Sequence, residues 1–200
     1  MRIGVLGGTF NPIHNTHLDL ARAARDQFRL DRLIFVPAKT PPHKRNHESL
    51  VAPDHRLRMV ELALASLPFA QVSDIELNRT GPSYTFDSLT ALRQLVGPDA
   101  ELFFILGSDQ LLELPTWHRA PELVRLCRFL TVERPGFPLT SLAPLRARLP
   151  ELRTDPLDFT PSTVSSTDIR RKLLAGEDVS ALVPASVLDY IRRHSLYSNK

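Results

Sequence analysis

Ile3-Gly4-Val5-Leu6-Gly7-Gly8-Thr9-Phe10-Asn11-Pro12-Ile13-His14-Asn15-Thr16-His17 opens on a short apolar run that stops at paired glycines. From residue 15 to 28 the pattern changes, with Leu18, Ala21, Ala24 and Phe28 recurring at helical spacing. Strand, turn and helix in that order form the first unit of an α/β chain, and the remaining sequence repeats the unit.

Residues 33–36 predict a second buried strand closed by Pro37, and the polar stretch 39–49 an exposed loop of the kind that carries function. Pro53 opens a helix whose Leu57, Val60 and Leu64 line one face as far as Leu67. Residues 71–77 suit a strand and 84–96 a helix, with Phe86, Leu89 and Leu92 on one side. A buried strand follows at 102–106, stopped by Gly107. A short helix over 121–126, a strand over 128–132 and helices over 166–175 and 185–194 complete the pattern. The proline-punctuated stretch 135–161 shows no period that assigns it. The alternation predicts a Rossmann-like, doubly wound, mostly parallel sheet with helices on both faces and a small C-terminal helical portion, all in one domain of 200 residues. Ligands of such sheets bind beyond the carboxyl ends of the strands.

The 25 basic residues are interspersed with 22 acidic ones, so the net charge of +3 favours anionic ligands slightly and predicts no nucleic-acid partner. A single cysteine, Cys127, excludes an intramolecular disulfide and a cysteine-rich metal site and points to a reducing compartment. Gly7-Gly8-Thr9 interrupts the N-terminal apolar residues before a signal-peptide core forms, and no apolar run reaches the ~18 residues of a membrane span. These features predict a cytoplasmic protein without membrane contact, and they leave homo-oligomer formation open.

Three groups of residues could carry chemistry. Gly7-Gly8-Thr9-Phe10 ends the first strand, where glycines let backbone N–H groups approach a phosphate, although a glycine pair there also serves as a plain turn. His14 and His17, three apart at a helix start, put both imidazoles on one face beside that turn. They could face one anion, hold a metal or be solvated rings, but the segment offers no third metal ligand. Near the other end, Ser165-Ser166-Thr167-Asp168-Ile169-Arg170 reads as a capped helix start whose hydroxyls, free N–H groups and Arg170 guanidinium could grip a polyphosphate.

These two terminal segments resemble the paired signatures of the nucleotidyltransferase superfamily, G-G-T-F-D-P-x-H-x-G-H and I-S-S-T-x-I-R. Pro82-Ser83-Tyr84-Thr85, Gly107-Ser108-Asp109, Pro115-Thr116-Trp117 and Pro41-Pro42-His43-Lys44 narrow the resemblance to the bacterial nicotinate mononucleotide adenylyltransferases, in the right order across nearly the whole chain. Asn11 stands where the pattern has Asp and Thr16 where it has Gly. The resemblance implies an enzyme of NAD biosynthesis that moves AMP from ATP to nicotinate mononucleotide, with Mg²⁺ accompanying the ATP. It implies that His14, His17 and Arg170 are catalytic, and that Gly7, Gly8, Thr9, Phe10, Gly107, Asp109, Ser165 and Ser166 bind ATP. Lys44, Tyr84, Thr85 and Trp117 would hold the acceptor, Trp117 by stacking on its pyridine ring, and no residue is assigned to a protein-held metal. Two other readings stay open, an enzyme preferring the amide acceptor and a non-catalytic dinucleotide sensor; retention of His14, His17 and Arg170 favours an enzyme.

Overall fold

The computed structural model describes residues 1–40, 50–139, 142–160 and 164–198. In chain order the elements are β1 (Arg2–Gly8), α1 (Asn15–Phe28), β2 (Arg32–Pro37), α2 (Pro53–Leu64), β3 (Ala70–Val72), α3 (Thr85–Val96), β4 (Glu101–Gly107) and α4 (Ser108–Glu113). A 3-10 turn (Leu114–Thr116) leads to α5 (Ala120–Leu126), β5 (Arg128–Val132), α6 (Ala143–Arg148), β6 (Thr154–Pro156), α7 (Ser166–Leu174) and α8 (Ala185–Arg193).

The six strands form one sheet in the order β3-β2-β1-β4-β5-β6, and every pair is parallel. Alternate side chains of the strands build two cores, because successive residues of a strand point to opposite faces. On one face Leu33, Phe35, Phe103, Ile105 and Leu130 pack with Leu18 and Ala21 of α1, Met59 of α2, Ile169 of α7 and Val187 of α8. On the other, Ile3, Val5, Ile34, Leu102, Phe104 and Phe129 pack with Leu89 of α3, Leu111 of α4, Leu123 of α5 and Leu145 of α6. The strand order reverses between β1 and β4, whose ladder ends at Val5 opposite Phe104. Beyond it the two strands part, which opens the crevice where ligands of such sheets bind.

Three expectations change. The strand expected over 71–77 stops at Val72, because Leu77 and Asn78 both donate their N–H to Asp74 O and fold the chain into a turn. The unassigned stretch holds α6 and β6, and β6 extends the parallel sheet through its pairing with β5. On α2 the buried face is Arg56, Met59, Val60, Ala63 and Leu64, so the stripe begins one residue before Leu57 with a charged side chain.

Candidate active site

The β1–α1 connection is shaped by Phe10. Its backbone lies in the left-handed region at φ 47°, and its buried ring turns back beneath Gly8, where a Cβ would stand 2.9 Å from the ring. That ring also meets His17 edge-on at 5.2 Å and Phe35 at 5.6 Å. Phe10 therefore serves the site by packing, and what the turn offers a ligand is the backbone of Gly7, Gly8 and Thr9. Thr9 is half-buried and Gly7 exposed.

His14 is the N-cap residue of α1 and His17 its third residue, with ring centroids 3.9 Å apart. The backbone N–H of His14 donates to Nδ1 of His17 at 3.2 Å. A nitrogen that accepts this bond carries no proton, so neutral His17 presents Nε2–H as a donor. Burial, with the Arg134 guanidinium adding to it, pulls His14 down to about 4. Burial, then His14 and Arg134, holds His17 well below its ordinary value. These shifts favour the neutral form of both rings near pH 7. At the start of α1 the N–H of Asn15 goes to Leu182 O and that of His17 to His14 O, both at 2.9 Å.

The second signature reaches the first directly. Arg170 donates from Nη1 to Asn11 O at 2.8 Å, and Ser166 Oγ donates to Pro12 O at 3.0 Å. Ser165 closes a capping box, accepting from the Asp168 N–H at 3.1 Å and donating its hydroxyl to Asp168 Oδ2 at 2.6 Å. Asn11, which replaces the acid of the family pattern, keeps an acceptor role: its Oδ1 receives the Tyr197 hydroxyl at 2.7 Å and the Val51 N–H at 3.3 Å. Thr16 lies half-buried in the first turn of α1.

At the end of β4, Gly107 leads into α4, and a Cβ there would collide with Asp109 Oδ1 and stand 3.1 Å from Arg134 Nε. Asp109 Oδ1 is buried without a hydrogen-bond partner among the described residues. Tyr84 caps α3 and stacks on His118 at 4.3 Å. Thr85 is the first residue of the same helix. Trp117 stands half-buried and edge-on to Phe104 at 6.3 Å, and its indole N–H has no partner among the described residues. The Phe104 ring also lies 3.4 Å from where a Cβ of Gly7 would be, so it separates the phosphate turn from Trp117. Lys44, with the rest of Pro41-Pro42-His43-Lys44, lies outside the described residues.

Arg134 was missed. It follows the carboxyl end of β5, is exposed, donates its N–H to Ser108 Oγ at 2.9 Å and acts electrostatically on both histidines. Its signal in the sequence is a basic residue placed between a strand end and Pro135-Gly136, in the position where ligands of parallel sheets are met.

This arrangement has counterparts. The cytidylyltransferase-like family model matches residues 5–172. A Moorella thermoacetica protein named as a nicotinate-nucleotide adenylyltransferase is 41% identical over 199 residues, spanning 98% of this chain and 91% of its own. A Synechococcus sp. protein of the same name is 43% identical over 198 residues, spanning 98% and 94%. In fold, the chain is similar to Plasmodium falciparum nicotinic acid mononucleotide adenylyltransferase complexed with NaAD, with a TM-score of 0.78 at 22% identity over 98% of this chain and 97% of that one.

Proposed function

This chain belongs to the nicotinate-nucleotide adenylyltransferase family, and from that premise we propose how its residues carry the reaction in which AMP passes from ATP to nicotinate mononucleotide. An oxygen of the acceptor's 5′-phosphate forms a bond to the α-phosphorus of ATP, and the bond from that phosphorus to the α,β-bridging oxygen breaks. Nicotinate adenine dinucleotide and pyrophosphate result. The nucleophile is already an anion, so no side chain has to remove a proton, and the protein's work is alignment and stabilisation of negative charge.

The observation that carries this reading is the neutral His14/His17 pair beside the Gly7-Gly8 turn, with Arg134 coming from the end of β5 and Arg170 from α7. The imidazoles act as N–H donors to the triphosphate, while Arg170 and Arg134 supply the positive charge that the leaving pyrophosphate gathers. Ser166, bonded to Pro12 O, keeps α7 against the first signature, and Ser165 caps that helix where the two serines meet the phosphates of ATP. Asp109, with its unsatisfied Oδ1 beside Gly107, accepts from ribose hydroxyls of ATP. Tyr84, Thr85 and Trp117 frame the acceptor's pyridine ring, and Lys44 meets its phosphate.

Among the described residues no three His, Cys, Asp or Glu side chains gather into a metal cage. In this reading Mg²⁺ arrives as part of the MgATP substrate, held by phosphate oxygens and water. The same reading puts the enzyme in the cytoplasm; among the described residues no helix is long and apolar enough to cross a membrane.

The test supplies Mg²⁺, ATP and either nicotinate or nicotinamide mononucleotide, follows pyrophosphate release and identifies the dinucleotide. Faster release with the acid and its adenine dinucleotide as product is expected. Faster release with the amide reassigns the acceptor, and release with neither from folded protein overturns the reading.

A further inference from the structure

Arg56 is wholly buried on the core face of α2, at a position where a leucine or methionine would continue the apolar stripe. No carboxylate pairs with it as a salt bridge among the described residues. Backbone carbonyls receive its donors instead: Nε bonds Val51 O at 3.0 Å, Nη1 bonds Thr9 O at 2.8 Å and Ala38 O at 2.6 Å, and Nη2 bonds Lys39 O at 3.3 Å. A buried charge bonded only to backbone carbonyls, with the Glu76 carboxylate acting on it without a direct ion pair, is an expensive way to fill a core position, and apolar replacements of buried ions often match or exceed them in stability. The residue has a geometric consequence that an apolar side chain would not have.

Those four bonds draw together three segments. Thr9 belongs to the phosphate turn, Ala38 and Lys39 follow β2, and Val51 precedes α2. The ring closes through Asn11, whose Oδ1 accepts the Val51 N–H. From Lys39 the path reaches the acceptor side, because Ser83 Oγ accepts the N–H groups of Lys39 at 3.1 Å and Thr40 at 3.3 Å, immediately before Tyr84 and Thr85. At Thr9, a trans peptide plane whose C=O points to Arg56 must point the N–H of Phe10 the opposite way. The planar guanidinium thus fixes the orientation of the phosphate turn and its separation from the acceptor wall in one rigid piece.

We infer that Arg56 is a positioning residue for nucleotidyl transfer, setting the alignment of the acceptor phosphate on the α-phosphorus by bridging the Thr9 turn to the Lys39–Ser83 contact. This inference rests on the reaction proposed above. Arg56 touches neither substrate, so its loss acts on turnover more than on nucleotide affinity.

The test compares the full chain with Arg56→Lys and Arg56→Met. Folding is followed by circular dichroism and Tm, kcat by dinucleotide formation, and affinity by calorimetric titration with α,β-methylene-ATP in the absence of acceptor. Misalignment on the ångström scale predicts that kcat falls about 10-fold or more in both variants, less in Lys than in Met, while the analogue's Kd moves less than about 3-fold. Unchanged kcat per folded molecule with a lowered Tm makes Arg56 a stability residue and overturns the inference, as does failure of both variants to fold. A Kd that weakens in step with kcat also overturns it. Absence of dinucleotide from the wild-type chain removes the reaction itself and this inference with it, whereas an active wild type beside unaffected variants removes only the role of Arg56.

Discussion

His14 gives its backbone N–H to Nδ1 of His17 over 3.2 Å, and this one bond settles which nitrogen of His17 can face a substrate. Burial, with Arg134 adding to it, disfavours protonation of both rings, which lie 3.9 Å apart, and His14 adds to the effect on His17. Transfer to an anionic acceptor then relies on fixed N–H dipoles at the histidines and on arginine for charge, a division of labour that the spacing His14-x-x-His17 does not reveal by itself.

The first prediction concerns protonation. In the ligand-free protein, imidazole NMR signals of His14 should titrate near pH 4 and those of His17 well below the ordinary histidine value. The unfolded chain protonates near the ordinary value of about 6.5. Between these values the unfolded state binds more protons, so stability is fully present above about pH 6.5 and is lost as the pH falls towards 4. For His14 alone the loss is on the order of 3 kcal/mol across that window. Urea unfolding at pH 7 and pH 5 should show the difference, and His14→Asn should make it shallower. A ring titrating at the ordinary value would show that burial and Arg134 do not hold its proton off.

Arg134 supplies the second prediction. Its backbone bond to Ser108 survives truncation of the side chain, so Arg134→Ala should fold normally. Removing the cation should raise the His14 pKa and weaken the binding of a triphosphate by roughly 10-fold. NMR titration and calorimetry with an ATP analogue check both parts. An unmoved His14 would mean that burial alone holds its proton off.

The alternation of strands and helices was legible because each buried strand is a run of apolar residues ended by glycine or proline, as at Leu102 to Gly107 and Leu33 to Pro37. The short strand β6 was not, since Thr154, Asp155 and Pro156 carry no apolar period and gain their place only by pairing with β5. At the site, His14, His17 and Arg170 stood out by residue type and spacing, and the fold brings Arg170 onto Asn11 across 159 positions of sequence. Arg56 was hidden for the opposite reason. A charged residue is read as solvent-facing, and it is the carbonyls of Thr9, Ala38, Lys39 and Val51, contributed by three separate segments, that take up its donors in the core.

A third prediction uses the close quarters at the end of β4. Gly107→Ala would place a methyl group against Asp109 Oδ1 and 3.1 Å from Arg134 Nε. Both side chains can rotate away, and φ at Gly107 is −79°, which alanine adopts freely. The fold should therefore lose little, with Tm shifting by no more than a few degrees, while kcat/KM for ATP falls as Asp109 and Arg134 are displaced. Wild-type kinetics with a normal Tm would show that neither side chain is needed where the structure puts it.

The last prediction separates the chemistry of Arg170 from its structural contact. One guanidinium nitrogen bonds Asn11 O at 2.8 Å and the other Thr167 Oγ1 at 3.3 Å, so the side chain is held ready at the junction of the two signatures. Lysine can keep the charge and one bond but cannot reproduce the planar two-point fork. Arg170→Lys should therefore retain the native Tm within a few degrees and still lose turnover, with Arg170→Ala and His17→Ala losing more, roughly 10²-fold each, as expected when one transition-state donor is removed. Steady-state kinetics beside thermal unfolding for the three variants makes the comparison. Equal turnover for Arg170→Lys and wild type would show that Arg170 contributes only a positive charge, and full turnover in folded Arg170→Ala would remove it from the transfer step altogether.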